Sequence, residues 1–406
     1  MPPLSPVARV PRARHVLLLG LMVAVQAFST DVYLPSLPDV ARDLHASVAS
    51  VQLTMTVMLL GGAVGQLVVG PVSDRFGRRA PALVGLGLHV LTSVACAFAP
   101  TVGVLIGLRA AQGFFNAASV VVAMAVVRDL FVGGHAARLL SRLMLVIGLA
   151  PLLAPSVGGF VAAHAGWRAV FGVLALYGVL VWVAVLVRLP ETLPPAARRP
   201  GGIRAGLTGY AALVRDRHFV ALAVLPGLST AVLMSYVVSS PFVLRTGYGL
   251  SEQQFALVFA VNGIGLVGGA QLNAALVHKV APLRVLRVAQ LLIAVLGLVL
   301  VALAATGAGG LPALLVVLWL LMATLNLASP NANALAMSRH GQVAGSAAAV
   351  IGAAQAGVSG VVSPLSGLLG GGAVAMAAVM AGAALVGVAV LALATPAYRR
   401  GGGWGG

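Results

Sequence analysis

GPVSDRFGRR, Gly70 to Arg79, stands between two long apolar runs and gathers every charged residue between Asp43 and Arg109. It carries a glycine-proline turn, one acid (Asp74) and three arginines (Arg75, Arg78, Arg79). A cluster of that kind cannot lie in hydrocarbon, so it marks where the chain surfaces and sets the frame for the runs on either side.

The composition agrees. Sixty per cent of the 406 residues are hydrophobic and 8% are charged, whereas soluble domains have about a quarter of their residues charged. The net charge of +17 raises the question of nucleic acid. Yet the basic residues lie in short clusters between apolar runs, with no basic face and few aromatics for stacking, so no nucleic acid is expected. The one cysteine, Cys96, lies inside an apolar run and no disulfide framework exists. The N-terminal MPPLSPVARVPRARH is basic and proline-rich. The apolar segment after it is too long for a signal-peptide core and reads as a retained first membrane helix.

Crossing the hydrocarbon takes about 20 apolar residues as a helix. That length predicts twelve spans, near 16–37, 48–70, 81–99, 102–127, 139–163, 168–189, 219–243, 253–277, 283–305, 311–333, 344–369 and 373–395. With the N-terminus placed in the cytoplasm, 21 of the 25 Lys and Arg fall on the cytoplasmic side. Arg42, Arg168 and Arg245 fall opposite and Arg109 lies within a span, the bias expected of an inner-membrane protein with both termini cytoplasmic. The proline-, glycine- and arginine-rich segment 190–217 reads as a cytoplasmic linker. It separates a six-helix half, 1–189, from a second, 218–406, as in transporters built from repeated halves. The two halves share little sequence; the loop near Asn273–Leu286 takes the place of Gly70–Leu83 without its acid. Glycine pairs four apart, Gly61/Gly65, Gly103/Gly107 and Gly265/Gly269, predict close helix packing.

At these residues the chain resembles a known family. GPVSDRFGRRAPAL resembles the signature between the second and third helices of the major facilitator superfamily. STDVYLPSLP (Ser29–Pro38), LRAAQG (Leu108–Gly113), VRDLF (Val127–Phe131) and GLAPLLAPSVGG (Gly148–Gly159) resemble motifs of its drug/proton antiporters. D-x-Y-L-P-x-L-P in the first helix is similar to the Bcr/CflA drug-efflux group. SSPFVL (Ser239–Leu244) and SPNANALAM (Ser329–Met337) match more loosely. The antiporter motif of helix 5, Pro151, Pro155, Gly158 and Gly159, departs in one place: Ala154 precedes Pro155 where glycine is usual. The resemblance implies an all-α integral membrane protein of twelve transmembrane helices that works as a monomer without a cofactor.

Only one acid, Asp31, and one base, Arg109, lie well inside predicted spans. At 1.5 Å per residue Asp31 is roughly 22 Å from the cytoplasmic start of its span, some 8 Å below the outer edge of a core of about 30 Å. Arg109 is roughly 10 Å below that edge, a matching depth. Burial and a nearby arginine act in opposite senses on a carboxyl's hold on its proton, so a site that alternately wets and dries could exchange one. Asp31 is thus expected to carry the coupling proton with Arg109 tuning it. Two other readings stay open: Asp31 caps its helix ahead of Pro35, or it serves substrate alone. Arg109 could equally be a structural charge held by backbone carbonyls, although Gln112 and Asn116 continue its helical face as a polar stripe.

A second group comprises Gly70, Asp74, Arg75, Gly77, Arg78, Arg79 and Asp129. By resemblance, Asp74, Arg78 and Asp129 form a charge network that latches the outward-facing state; the alternative is an ordinary interfacial ion pair worth under about 1 kcal/mol. Gln26, Tyr33, Gln52, Tyr236, Asn262, Asn326 and Gln355 could line a cavity or make interhelical hydrogen bonds. The histidines show no metal spacing and no metal is assigned. Trp404 falls in a GGGWGG tail that reads as disordered.

No G-x-x-x-x-G-K-[ST] is present, so the energy must come from a gradient. The expected function is proton-coupled export of small hydrophobic or cationic drugs, antibiotics among them, by alternating access in the bilayer. A specific small-metabolite carrier on the same fold is the alternative. An integral enzyme would need clustered His, Asp or Glu near an interface, which the sequence does not show.

Overall fold

In lipid every backbone N–H and C=O must be satisfied within the protein, which leaves helices as the way for apolar runs like these to cross. The computed structural model describes residues 13–131, 133–198, 213–277, 279–338 and 344–394, and these are helical almost throughout. The helices are α1 (Ala13–Asp31), α2 (Leu37–Asp43), α3 (Val48–Phe76), α4 (Arg79–Ala97), α5 (Val102–Leu130), α6 (Gly133–Arg188) and α7 (Arg217–Pro241). They continue with α8 (Glu252–Leu276), α9 (Pro282–Thr306), α10 (Gly310–Met337), α11 (Ala344–Val362), the short α12 (Leu365–Leu368) and α13 (Ala373–Ala394). The basic N-terminal segment, residues 199–212 of the linker, Arg339, Arg399, Arg400 and the tail with Trp404 lie outside the described residues.

Ten helical segments among the described residues are long and apolar enough to cross a membrane. The predicted spans 139–163 and 168–189 both fall on α6, which breaks at Gly166, whose φ of 78° is left-handed. The 19-residue α11 supplies the eleventh span of the sequence reading. The architecture is the all-helical membrane bundle that the sequence predicts, with ten segments among the described residues long and apolar enough to span. Large apolar side chains point outward, as the bilayer requires: Leu91, Leu180, Val187, Leu257 and Leu393 are all well exposed.

By packing, the chain gathers into two compact units, Met1–Tyr33 with Val57–Arg204, and Leu34–Thr56 with Ala205–Gly406. In the first, α1 lies against α5 and α6, and α4 against the same two. Its apolar core runs from Leu19 and Met22 of α1 through Val122 and Val126 of α5 to Val181 and Val185 of α6. In the second, α7 packs on α10, α11 and α13, while α9 joins α10 and α13.

Two expectations are corrected. The first span is not one helix over 16–37. It breaks after Asp31, passes through a 3₁₀ turn at Leu34–Ser36 and resumes as α2. Pro35 lacks an N–H and disfavours helix at the residue before it, which accounts for the break. Nor is Gly70–Arg79 a loop throughout, since α3 runs on through Pro71 to Phe76. At 29 residues it is about 43 Å long, more than the hydrocarbon core, so its charged last turn projects beyond it. The turn itself is made at Gly77, φ 93°, a conformation that glycine adopts without steric cost.

Candidate functional site: a buried arginine centre and an interfacial charge network

Arg109, near the start of α5, is fully buried. Its Nη1 donates to Gln112 Oε1 at 2.6 Å and to the Ser29 carbonyl at 3.3 Å. Gln112 Nε2 donates in turn to Ser93 Oγ at 2.7 Å, and the Ser93 hydroxyl donates to the His89 carbonyl at 2.7 Å. The guanidinium lies 4.7 Å from the Tyr33 ring centre and 5.7 Å from that of Phe171. The two rings are themselves 5.2 Å apart. A desolvated cation over aromatic faces gains about 2 kcal/mol or more, and the end of a helix, with its unsatisfied carbonyls, attracts positive charge. Arg109 thus clamps the last turn of α1 to α5.

Asp31 is the final residue of α1 and is 9% exposed. The sequence placed it opposite Arg109 at one depth. Arg109 instead donates to the Ser29 carbonyl, two residues before Asp31, and to Gln112. Among the described residues no hydrogen bond or ion pair reaches the Asp31 carboxyl. Immediately beyond it, α6 presses on the break: a Cβ at Gly158 would collide with the carbonyl of Val32. Only a hydrogen side chain lets the two backbones meet there. Pro155 and Gly159 are buried beside Gly158 on α6; Pro151 lies on the same helix.

The second group assembles on Arg78, whose side chain is nearly buried. Its Nη1 donates to Asp74 Oδ1 at 2.5 Å and to Ser73 Oγ at 2.8 Å, and its Nε to Asp129 Oδ2 at 2.9 Å. Asp129, at the end of α5, also accepts from the Thr192 hydroxyl at 3.0 Å. Arg75 stands outside this knot with its guanidinium over Phe76. Gly70 lies inside α3, its carbonyl accepting from Ser73 Oγ at 3.0 Å.

The sequence reading missed Glu191. One carboxylate accepts from the backbone N–H of Arg78 (2.8 Å), Arg79 (3.2 Å) and Leu193 (3.0 Å), so it caps the start of α4. A Cβ at Gly77 would run into this carboxylate, a second reason for glycine there. Partial burial pushes the Glu191 carboxyl up, but those N–H donors, with the Arg198 guanidinium, outweigh it and hold it below the usual carboxylate range. Its only sequence signal was an acid set in an otherwise basic linker.

In the second unit Gln52, Ser239 and Ser366 make one buried knot. Gln52 Nε2 donates to Ser239 Oγ at 3.3 Å, Ser366 Oγ donates to Gln52 Oε1 at 3.3 Å, and the two hydroxyls are 2.6 Å apart. Asn262 Nδ2 donates to Tyr236 Oη at 2.9 Å and Asn326 Nδ2 to the Leu266 carbonyl at 2.7 Å. Arg245, at the end of the π-helical turn after α7, donates to Asp39 Oδ2 and Glu252 Oε1, both at 2.9 Å, and to the Pro35 carbonyl. Of the remaining cavity candidates, Tyr33 is wholly buried under Arg109 and Asn116 is wholly buried on α5. Gln26 lies against Gly62 of α3, and Gln355 is half-buried on α11.

A helical bundle of this topology, with a charge broken out of its first span and a charged knot after its second, defines a membrane transporter rather than an enzyme. The chain belongs to the major facilitator superfamily, whose profile matches residues 19–364. It is 35% identical over 375 residues to an uncharacterized MFS-type transporter, YdgK, of Bacillus subtilis, covering 91% of this chain and 92% of that one. It is 32% identical over 350 residues to a bicyclomycin resistance protein homolog of Haemophilus influenzae (86% and 88%). It is 30% identical over 249 residues to the multidrug resistance protein MdtL of Escherichia coli (61% and 63%). These relatives place it with the Bcr/CflA group that its first-span motif resembles. Among solved structures, a D-xylose-proton symporter superposes with a TM-score of 0.73 at 18% identity, over 92% of this chain and 96% of that one. That likeness speaks to the fold alone.

Proposed function

We propose that this protein exports small hydrophobic or cationic drugs across the bacterial inner membrane in exchange for protons, with both termini in the cytoplasm. The observation that carries the reading is Asp31. It is the one carboxyl well inside a predicted span, set at a helix break two residues after the Ser29 carbonyl that the buried Arg109 holds. A charge held in the bilayer is costly and serves function where it persists. Asp31 takes up a proton from outside and releases it inside, and the loss and gain of its charge decides which state the bundle favours.

The two six-helix halves, 1–189 and 218–406 joined by the linker 190–217, rock about a central cavity. Arg109 orients the break by holding the last turn of α1. The knot of Arg78 with Asp74 and Asp129 latches one end of the cycle. At the other end of the helices, Arg245 ties Pro35 and Asp39 to Glu252, and opening on that side releases it. The carrier works as a monomer and needs no cofactor. Support for drugs as the cargo comes from relatives named for bicyclomycin and multidrug resistance and from Arg109 being the one base well inside a predicted span.

The test uses everted vesicles acidified inside by a proton pump. Adding a transported drug dissipates part of the pH gradient with the wild type. Asp31→Asn abolishes that response while retaining drug binding. A variant that still transports in a pH-driven manner overturns the role of Asp31.

A further inference from the structure

A cavity of about 820 Å³ opens in the first unit, away from the buried Arg109 centre. Its walls include Leu18 of α1, Leu130 of α5 and Val187 at the end of α6. Val187 is 74% exposed, so the cavity adjoins the apolar outside of the bundle. Three basic side chains also line it: His15, Arg79 and Arg188. They stand at the start of α1, the start of α4 and the end of α6, helix ends that consecutive crossings bring to one membrane face. Among the described residues no carboxylate lines it. Arg79 spends its Nη2 on the Leu186 carbonyl at 2.7 Å, and its buried Nε has no hydrogen-bond partner. Arg188 has no partner among the described residues.

We propose that this cavity binds an anionic phospholipid, its phosphate between Arg79 and Arg188 with His15 near, and an acyl chain along the apolar wall. Basic pockets between helices at the interface suit lipid headgroups. The chemistry needs both parts. A phosphate accepts from guanidinium N–H groups that backbone carbonyls leave unused, and an acyl chain covers apolar surface that water would otherwise meet. A free phosphate would satisfy the arginines and leave the leucine and valine wall wet. Because Arg79 follows Arg78 directly and Glu191 accepts from both their backbones, a bound lipid braces the same corner that carries the charge network.

The test is native mass spectrometry of the full chain released from detergent, titrated with phosphatidylglycerol and with phosphatidylcholine of the same acyl chains. The wild type is expected to hold phosphatidylglycerol about 25-fold more tightly, about fivefold for each of the two arginines. R188Q is expected to cut that preference by about fivefold and R79Q/R188Q to remove it. R79K/R188K keeps it in part, which separates loss of charge from loss of fold. R284Q, a change at an exposed arginine at the start of α9, leaves it unchanged. Equal retention of the two lipids by the wild type, or a preference that survives in R79Q/R188Q, overturns the proposal. Glycerol phosphate competing as strongly as the intact lipid overturns the lipid as occupant.

Discussion

At the scale of single residues, four side chains carry most of what is specific to this protein, and they differ in how they are held. Arg109 and Arg78 are buried cations with several partners each, so neither is replaceable by lysine, which lacks the planar fork and the stacking face. Asp31 is held by position rather than by partners. Glu191 is held by three backbone N–H groups, and its pH dependence follows. Its carboxyl lies below the ordinary range in the folded protein. The stabilisation is therefore fully present above the carboxylate's unfolded pKa and is lost as pH falls through the lower, folded value. Thermal unfolding in detergent should show this as a fall in Tm on acidification that is shallower in Glu191→Gln. At neutral pH the same variant should lose about 1 kcal/mol, the scale of a helix cap. An unchanged acid slope would show that the cap contributes nothing.

At the scale of elements, the decisive event is the break in the first span. The sequence reading carried the first span unbroken to residue 37, although Pro35 accounts for the break, and the end of α1 at Asp31 depends on what presses there. Arg109 pulls on the Ser29 carbonyl, and α6 approaches Val32 through Gly158 with no room for a methyl group. Gly158→Ala should therefore force the two helices apart and lower Tm by several degrees. Gly107→Ala offers the contrast, because a Cβ at Gly107 meets nothing within 4 Å. There the change should raise Tm slightly, since alanine is favoured over glycine in a helix by up to about 1 kcal/mol. Equal responses of the two variants would refute the packing argument. The glycine pairs divide in the same way: Gly61 and Gly65 meet the backbone of α5 at Ala110 and Phe114, whereas Gly103 and Gly107 touch almost nothing. Spacing identified both pairs, and only the neighbouring helix tells them apart.

At the scale of the whole molecule, orientation is the claim that charge makes and that solution chemistry can check. A C-terminal green fluorescent protein should fluoresce, and alkaline phosphatase at the same place should be inactive. The reverse pattern would overturn the assignment of the basic clusters to the cytoplasm. Cys96 is fully buried, which leaves a clean background for labelling. A cysteine introduced at Arg42 should react with an impermeant maleimide from outside the cell, and one at Arg284 should not.

The sequence by itself determined the class of the protein. Spans follow from apolar length and family from motifs whose residues must surface, turn or kink at fixed places, while the direction proposed for the spans rests on the distribution of arginine. It also marked Asp31, Arg109, Arg78 and Asp129, because charge in or beside lipid is rare enough to stand out. Only the tertiary structure decided who partners whom. Arg109 binds a carbonyl of α1 while the Asp31 carboxyl has no partner among the described residues, the loop after the second span is mostly helix, and a linker glutamate caps α4. The physical reason is that hydropathy and charge act along the chain, where a sequence can be read. Hydrogen bonds and close packing act across it, and they are fixed only when helices distant in sequence meet.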